Sequence, residues 1–120
     1  MTSTRQERVK ELLKAEISDI IRREVKDPRL GFVTITDAKV TADLRSAKVF
    51  VSILGEKAQK DEGMKALRSA TKFIRAEFAK RANMRVTPEI VFLPDEAMER
   101  GAHIFELLEK IKRDDGGEGA

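Results

Sequence analysis

Apolar positions near the N-terminus recur at three- and four-residue steps and predict an amphipathic helix over residues 4–25. The stripe consists of Val9, Leu12, Leu13, Ile17, Ile20, Ile21 and Val25. This spacing places apolar side chains on one face of a helix. Thr4, followed three residues later by Glu7, predicts a capping box at its start. The sequence KDPRLG is expected to end the helix, because proline disfavours a helical residue before it.

Three later segments are rich in β-branched and aromatic residues and predict strands. They read FVTITDAKV, SAKVFVSIL and TPEIVFLP. The first two alternate in part between apolar and polar positions, as strands with one buried face do. The residues TADLR between them are short enough for a hairpin connection. Phe32, Phe50 and Phe92 lie in these apolar runs and are expected in the core.

A second helix is predicted after the polar stretch GEKAQKDEG, which is expected to be a loop. Phe73 lies off the apolar stripe of this helix if the helix is straight. Either a bend near residues 70–72 returns Phe73 to the core, or its ring is exposed for stacking on a base. Core placement is favoured, since burial is the usual role of phenylalanine. The apolar stripe is formed by Leu67, Ala70, Ile74 and Phe78.

A last helix is predicted to open at Asp95, and the sequence RDDGGEGA after it is expected to be a disordered tail. Its apolar side would be formed by Met98, Ile104, Phe105, Leu108 and Ile111. The order α-β-β-α-β-α predicts an α+β fold, with helices packed on one face of a three-stranded sheet. No repeat or long linker divides the chain, so we expect one domain over residues 1–112 and a tail over residues 113–120.

Composition limits the classes of function. A chain of 120 residues suits a single domain, and the absence of cysteine excludes disulfides and thiolate metal sites. The N-terminal region is charged throughout and lacks the apolar core of a signal peptide, and no segment is apolar enough to span a membrane. A cytoplasmic monomer that does not associate with membranes is therefore expected.

The side chains that catalysis or metal binding would need are scarce. His103 is the single histidine, and tyrosine is absent. Glu99 and Glu106 share one face of the predicted helix with His103, a pattern more typical of a surface ion-pair cluster than of a metal site. Asp114 and Asp115 lie in the tail, where nothing would hold a general acid and base in place. We expect no enzymatic activity, no metal and no cofactor.

Positive charge is concentrated in residues 64–86, which hold seven basic residues and one acid, Glu77, whereas residues 87–120 hold four basic and nine acidic residues. On a helical wheel four of the seven fall within about 80° of one another, on an arc separate from the apolar stripe. A face that is merely solvated usually interleaves both signs, so this pattern favours binding to a phosphate backbone. The predicted contacts are Lys65, Arg68, Lys72, Arg75, Lys80, Arg81 and Arg85.

Two alternatives remain open from the residues alone. The basic helix is also suited to an acidic protein surface, in which case the chain would be a protein-interaction module. A duplex-DNA binder is less favoured, because no helix-turn-helix spacing is present. Further basic residues near the N-terminus are weaker candidates, since neighbouring acids make a solvated role about as well supported. They are Arg5, Arg8, Arg22, Arg23 and Arg29.

Three long segments resemble the bacterial ribosome-binding factor A family, over roughly residues 5–112. They read DPRLGFVTITDAKVTADLRSAKVFVSILG, ALRSATKFIRAEFAKRANMRVTPEIVF and PDEAMERGAHIFELLEKI. The resemblance implies a type II KH-like domain that binds the 30S small ribosomal subunit and its 16S rRNA near the 5′ end. It also implies a role in late maturation and rRNA processing and support of growth in the cold. From its charge alone, the acidic C-terminal region is expected to contact ribosomal proteins or other assembly factors.

One departure from the family pattern affects the basic helix. The resemblance implies a helix kinked at an Ala-x-Gly signature in place of the usual Gly-x-x-Gly loop. The matching residues here are Ala70, Thr71 and Lys72, so the glycine is missing. A positive φ would be costly for Lys72, so a bend there is expected to be achieved in another way. Gly31 and Gly101 match family positions with a structural role.

Overall fold

The computed structural model describes residues 3–96, which form two helices and three strands. The elements are α1 (Thr4–Arg23), β1 (Val33–Val40), β2 (Ser46–Ile53), α2 (Lys57–Ala82) and β3 (Glu89–Pro94). This order confirms the predicted α+β fold with a three-stranded sheet. The predicted last helix beyond Glu96, the tail, and the cluster around His103 lie outside the described residues.

The strands lie in the order β1-β2-β3. β1 and β2 form the predicted antiparallel hairpin, in register from Val33↔Ile53 to Val40↔Ala47, with an irregularity between Ile35 and Asp37. β2 and β3 are parallel. A parallel pair requires a crossover connection, and α2 provides it. β2 is therefore paired on one side with its neighbour in sequence, β1, and on the other side with β3, which is distant in sequence.

Both described helices pack on one face of the sheet, and the core lies between. α1 and α2 contribute the side chains predicted by their apolar stripes, and β2 and β3 contribute alternate residues. The fully buried side chains include Leu13, Ile17, Ile20, Leu67, Ile74, Phe78, Val49 and Val51. The other face, here called the open face, is not covered by either described helix. It carries Thr34, Lys39, Ser46, Lys48, Phe50, Ser52, Glu89, Val91 and Leu93.

α1 begins at Thr4 as predicted, but its capping box lies one residue earlier than predicted. Ser3 is the N-cap: its Oγ accepts a hydrogen bond from the Gln6 N–H at 3.1 Å, and Gln6 Oε1 accepts one from the Ser3 N–H at 2.9 Å. The predicted capping box of Thr4 and Glu7 is therefore wrong by one position. Gln6 Nε2 also donates to the Val40 carbonyl at 2.9 Å, which fixes the start of α1 against the end of β1.

The predicted loop over residues 55–63 is wrong, because α2 already begins at Lys57. The Glu56 N–H donates to Gln59 Oε1 at 2.6 Å at the helix start. Residues 57–62 are mostly exposed, so the first turn and a half of the helix carries no apolar stripe that would reveal it. Burial begins at Gly63, which packs against Ile53 of β2.

Three phenylalanines that were predicted in the core, Phe32, Phe50 and Phe73, lie outside it. Phe32 is 68% exposed, because it lies before β1 and follows Gly31, whose φ of 60° turns the chain there. Phe73 is 39% exposed, because α2 continues past it without interruption and leaves it beside the apolar stripe. Phe92 is buried as predicted, and Phe50 is half-buried on the open face.

A candidate RNA-binding surface on the second helix

The basic residues of α2 lie on two different sides of the helix. One side faces β3 and the solvent, as the hydrogen bonds from Arg75 to the residues before β3 show. The other side faces α1, where Arg81 meets Glu16 and Asp19. The first side carries the group that the helical wheel predicted, here called the basic ridge: Lys65, Arg68, Lys72 and Arg75. Arg81 is about 120° away from Arg75 on the wheel and does not belong to it.

Arg68 and Lys72 are the two ridge cations whose charge is not compensated. Both side chains are exposed, and no hydrogen bond or ion pair engages either one within residues 3–96. They are four residues apart, so they lie one turn from each other, and like charges at this spacing repel. An anion placed between them would relieve that repulsion, which makes them the strongest candidates for a phosphate contact.

Arg75 joins α2 to the start of β3. Its Nε donates to the Pro88 carbonyl at 3.0 Å, and its Nη2 donates to the Thr87 carbonyl at 2.8 Å. Nη2 also lies 3.4 Å from Glu89 Oε1. A guanidinium group with this many partners holds the strand in place. We therefore expect Arg75 to position β3 beside the ridge, and its predicted role as a direct phosphate contact stays untested.

Arg81 belongs to an ion-pair network between the two helices. Its Nη1 lies 3.0 Å from Glu16 Oε2 and 2.7 Å from Asp19 Oδ2, and its Nη2 lies 3.9 Å from Glu24 Oε1. The hydrogen bond from Arg81 is the main reason that the pKa of Asp19 is lowered. These carboxylates neutralise the guanidinium, so its function in this arrangement is to hold α1 and α2 together.

The remaining residues predicted on or after α2 are accessible. Lys65 and Lys80 are exposed, and each lies near a carboxylate three residues earlier, at 3.3 Å and 3.2 Å. Exposed pairs of this kind contribute little and are readily exchanged for another anion. Arg85 is exposed and has no partner in the described part of the chain. Lys65 can therefore contribute its charge within the ridge, and Lys80 and Arg85 can contribute charge at the end of α2 and after it.

The weaker candidates near the N-terminus also divide into residues with a carboxylate partner and residues without one. Arg22 and Arg23 lie 3.0 Å and 2.9 Å from Asp19, and Arg29 lies 2.7 Å from Asp27. The hydrogen bond from Arg29 also lowers the pKa of Asp27. Two further residues, Arg5 and Arg8, are exposed on α1 and have no partner among residues 3–96.

The predicted kink residues lie within the unbroken helix α2. Ala70, Thr71 and Lys72 are all helical, and none has a positive φ. Thr71 Oγ1 donates to the Leu67 carbonyl at 2.8 Å. A bond of this kind to the residue four positions earlier often bends a helix slightly. This provides a way to curve α2 without the missing glycine, and the kink itself stays a prediction.

β3 is the outer strand of the described sheet on the side of the ridge. Its outward backbone groups have no strand partner within residues 3–96. An edge of this kind offers N–H donors and carbonyl acceptors to a ligand laid along it. Since Arg75 ties α2 to the start of β3, this end of the ridge lies next to the strand edge.

Two basic residues of the open face were not predicted. Lys39 and Lys48 are direct partners in the register of β1 and β2, and the Lys39 Nζ lies 5.9 Å from the centroid of the Phe50 ring. Each lysine occupies a polar position of an alternating strand, so the strand pattern contains the signal for their exposure. Their proximity to each other depends on the register, which the pattern does not specify.

Neither a metal cluster nor a membrane span is found in the part of the chain that the structure describes. No group of three or more His, Asp or Glu side chains is arranged to hold a metal ion among residues 3–96. The two described helices are too polar to cross a bilayer.

Comparison with known proteins identifies the family. The family model for ribosome-binding factor A matches residues 5–108. A ribosome-binding factor A from Halothermothrix orenii is 50% identical over 115 residues, which is 96% of this chain and 94% of that protein. The solution structure of a putative ribosome-binding factor A from Thermotoga maritima is similar with a TM-score of 0.68 and 29% identity, covering 78% of this chain and 89% of that one.

A second similar structure is that of a protein in a complex. It is a Thermus thermophilus ribosome-binding factor A, fitted as a homology model into a cryo-electron microscopy map of a complex with the 30S subunit. Its TM-score is 0.62 at 29% identity, with 72% of this chain and 91% of that chain covered. From the family match and the extent of the identity, the chain belongs to the ribosome-binding factor A family.

Proposed function

We propose that this protein is a cytoplasmic assembly factor that binds the 30S ribosomal subunit through 16S rRNA near its 5′ end and promotes late maturation and rRNA processing. The family and the 30S complex of a similar protein support this proposal. The observation that carries it is the pair Arg68 and Lys72, two exposed cations of the ridge with no partner among residues 3–96.

The proposed mechanism is binding without bond chemistry. The ridge neutralises phosphates of the rRNA, and the displaced counterions make the affinity fall as salt rises. The edge of β3 supplies hydrogen-bonding groups at the same surface. By occupying one arrangement of rRNA helices, the protein favours that arrangement while the surrounding RNA folds, and it leaves when the mature arrangement no longer fits. No cofactor takes part.

The proposal concerns a single KH-like domain, residues 1–112, that acts as a monomer, with residues 113–120 as a tail. The acidic residues toward the C-terminus are unsuited to RNA phosphate because of their charge. We assign them to contacts with basic ribosomal proteins or other assembly factors on the subunit.

The test is co-sedimentation with immature and mature 30S subunits over a salt series. The variant Arg68→Glu/Lys72→Glu is expected to lose binding, because it replaces two phosphate contacts with repulsion. Replacing both residues with glutamine removes the charges without reversing them. This should make the slope of log affinity against log salt shallower by about 1.5. Arg75 is left unchanged in these variants, because its hydrogen bonds hold β3.

The matched control is Lys26→Glu/Lys39→Glu, which makes the same change in net charge at two exposed lysines that lie outside α2. It should retain most of the binding. Equal loss in both variants would mean that net charge, and not the ridge, determines binding. Binding that survives nuclease treatment would instead indicate an acidic protein partner. Absence of binding by the unmodified protein at low salt would overturn the proposal.

A further inference from the structure

Phe73 is an aromatic residue of α2 that the core does not use. Its side chain is 39% exposed, whereas the next residue, Ile74, is fully buried. Ile74 and Phe78 belong to the buried cluster, and Phe73 does not. Within residues 3–96 the ring of Phe73 makes no aromatic or cation–π contact. The interior of the described domain therefore gives no reason for an aromatic side chain at this position.

Small residues separate Phe73 from the basic ridge. On a helical wheel, Ser69 and Ala76 fall between Phe73 and the ridge, and both are exposed. Residues three and four positions apart are neighbours on a helix surface, so these two short side chains border the ring. They are too small to cover it, and a flat ligand can reach the ring from the side of the ridge.

Exposed lysines lie before and after the ring along α2. Lys72 belongs to the ridge and has no partner among residues 3–96. Lys80 lies about two turns beyond Phe73 on nearly the same side of the helix. Its Nζ is 3.2 Å from Glu77 Oε1, an exposed pair that another anion readily replaces. A phosphate backbone held by these lysines would pass next to the ring and bring its bases within reach.

We propose that Phe73 stacks on one unpaired base of the RNA that the ridge holds. Aromatic side chains beside cations are the usual means of binding single-stranded RNA, because every base has a flat face. The identity of this RNA as rRNA of the 30S subunit rests on the proposed function. A base that has become paired is no longer available to the ring, so the contact favours RNA in which this nucleotide has not yet paired.

An apolar side chain of a ribosomal protein fits the site less well. The centres of protein–protein interfaces are depleted in lysine, whereas Lys72 and Lys80 lie on either side of this ring. Leucine in place of Phe73 separates the two occupants, because it keeps an apolar side chain and removes the aromatic face.

The first test uses fluorescence at the proposed site. The chain has no tryptophan and no tyrosine, so Phe73→Trp introduces the single strong fluorophore. A twelve-nucleotide single-stranded RNA of mixed sequence should quench its emission, because a stacked base contacts the indole ring directly. The same sequence in a duplex should bind through its phosphates and leave the emission unchanged. Phe32→Trp is the matched control, since Phe32 is also exposed and lies outside α2, and its emission should not respond to either RNA.

The second test measures affinity. Phe73→Ala should weaken binding of the single-stranded RNA about tenfold, the usual effect of losing one stacked base. The slope of log affinity against log salt should stay the same, because no charge is removed. Phe73→Leu should show the same loss, and Phe73→Trp should retain the affinity. Co-sedimentation with immature 30S subunits should rank these variants in the same order.

Three results would overturn the proposal. The first is emission from Phe73→Trp that stays constant while the single-stranded RNA binds. The second is an equal loss of duplex and single-stranded RNA binding in Phe73→Ala, together with a large fall in stability to urea, which would make Phe73 a structural residue. The third is full 30S binding by Phe73→Leu, which would assign the site to an apolar protein contact. Quenching by RNA without co-sedimentation of the unmodified protein would support the stacking and overturn the proposed function.

Discussion

At the scale of single residues, the function of each arginine is decided by its partners. Arg68, Arg75 and Arg81 lie on one helix within fourteen residues, and each was predicted to contact phosphate. The structure leaves Arg68 without a described partner, uses Arg75 to hold β3, and neutralises Arg81 with carboxylates of α1. A helical wheel separates Arg81 from the ridge, but the carbonyls that engage Arg75 come from a distant turn and are not visible in the helix itself.

Arg75→Gln is therefore expected to weaken 30S binding without removing a phosphate contact. Loss of its two hydrogen bonds to backbone carbonyl groups should lower the free energy of unfolding by about 1–2 kcal/mol, since the side chain is partly exposed. The slope of log affinity against log salt should stay that of the unmodified protein. Arg68→Gln, the control, should make this slope shallower by about 0.7–0.9 and leave the free energy of unfolding unchanged. A reduced slope at full stability for Arg75→Gln would show that Arg75 contacts phosphate directly.

At the scale of elements, α2 lies close to β2 because Gly63 has no side chain. A Cβ at Gly63 would lie 2.7 Å from Ile53 Cδ1 and 3.2 Å from Ile53 Cγ2. Ile53 is 3% exposed and has little room to move. The glycine therefore allows a close approach of helix and strand at the point where the chain has just turned from β2 into α2.

Gly63→Ala should destabilise the protein despite the better helix propensity of alanine. The propensity gain is about 1 kcal/mol, and overpacking of a buried site costs about 1–3 kcal/mol. In an Ile53→Val background, which lacks Cδ1, the same substitution should be neutral or stabilising. Urea unfolding of the four proteins in this double-mutant cycle measures the coupling. Strictly additive effects would show that the Ile53 side chain does not oppose a Cβ at position 63.

At the scale of the whole molecule, the ion pairs predict how stability depends on pH. The Arg81 hydrogen bond lowers the pKa of Asp19, and Arg29 does the same for Asp27. A carboxyl whose pKa is lower in the folded state stabilises that state fully above the unfolded value of about 3.9. The contribution is lost as the pH falls through the lower, folded pKa. Stability should therefore decrease below about pH 4.

Asp19→Asn tests the largest of these networks. Its unfolding free energy at neutral pH should be below that of the unmodified protein, and the difference should shrink as the pH is lowered toward about 2. Asp61→Asn is the control, because Asp61 is exposed and has no ion pair within residues 3–96. Urea unfolding at several pH values measures both. A constant difference for Asp19→Asn across this range would contradict the assignment.

The helices and strands could be predicted from periodicity, but their partners could not. The apolar stripes of α1 and α2 and the three strand segments were located correctly, because burial of one face imposes a period on the sequence. The start of α2 was missed, since its first residues are exposed on all sides. The core placement predicted for Phe32, Phe50 and Phe73 was wrong, because an aromatic residue indicates apolar character and not location. The ridge was predictable from charge, and the engagement of Arg75 depended on tertiary contacts.

The parallel pairing of β2 with β3 has a consequence for the order of folding. The β1–β2 hairpin closes a loop of five residues, 41–45, whereas β3 joins β2 only after residues 54–88 have been placed. Closing the longer loop costs more chain entropy, so the hairpin can form early and β3 is expected to be added late. The edge of β3 and the hydrogen bonds of Arg75 arise in that late step. A partly folded chain would therefore carry the cations of α2 without the strand edge beside them, and a complete surface marks a chain that has finished folding.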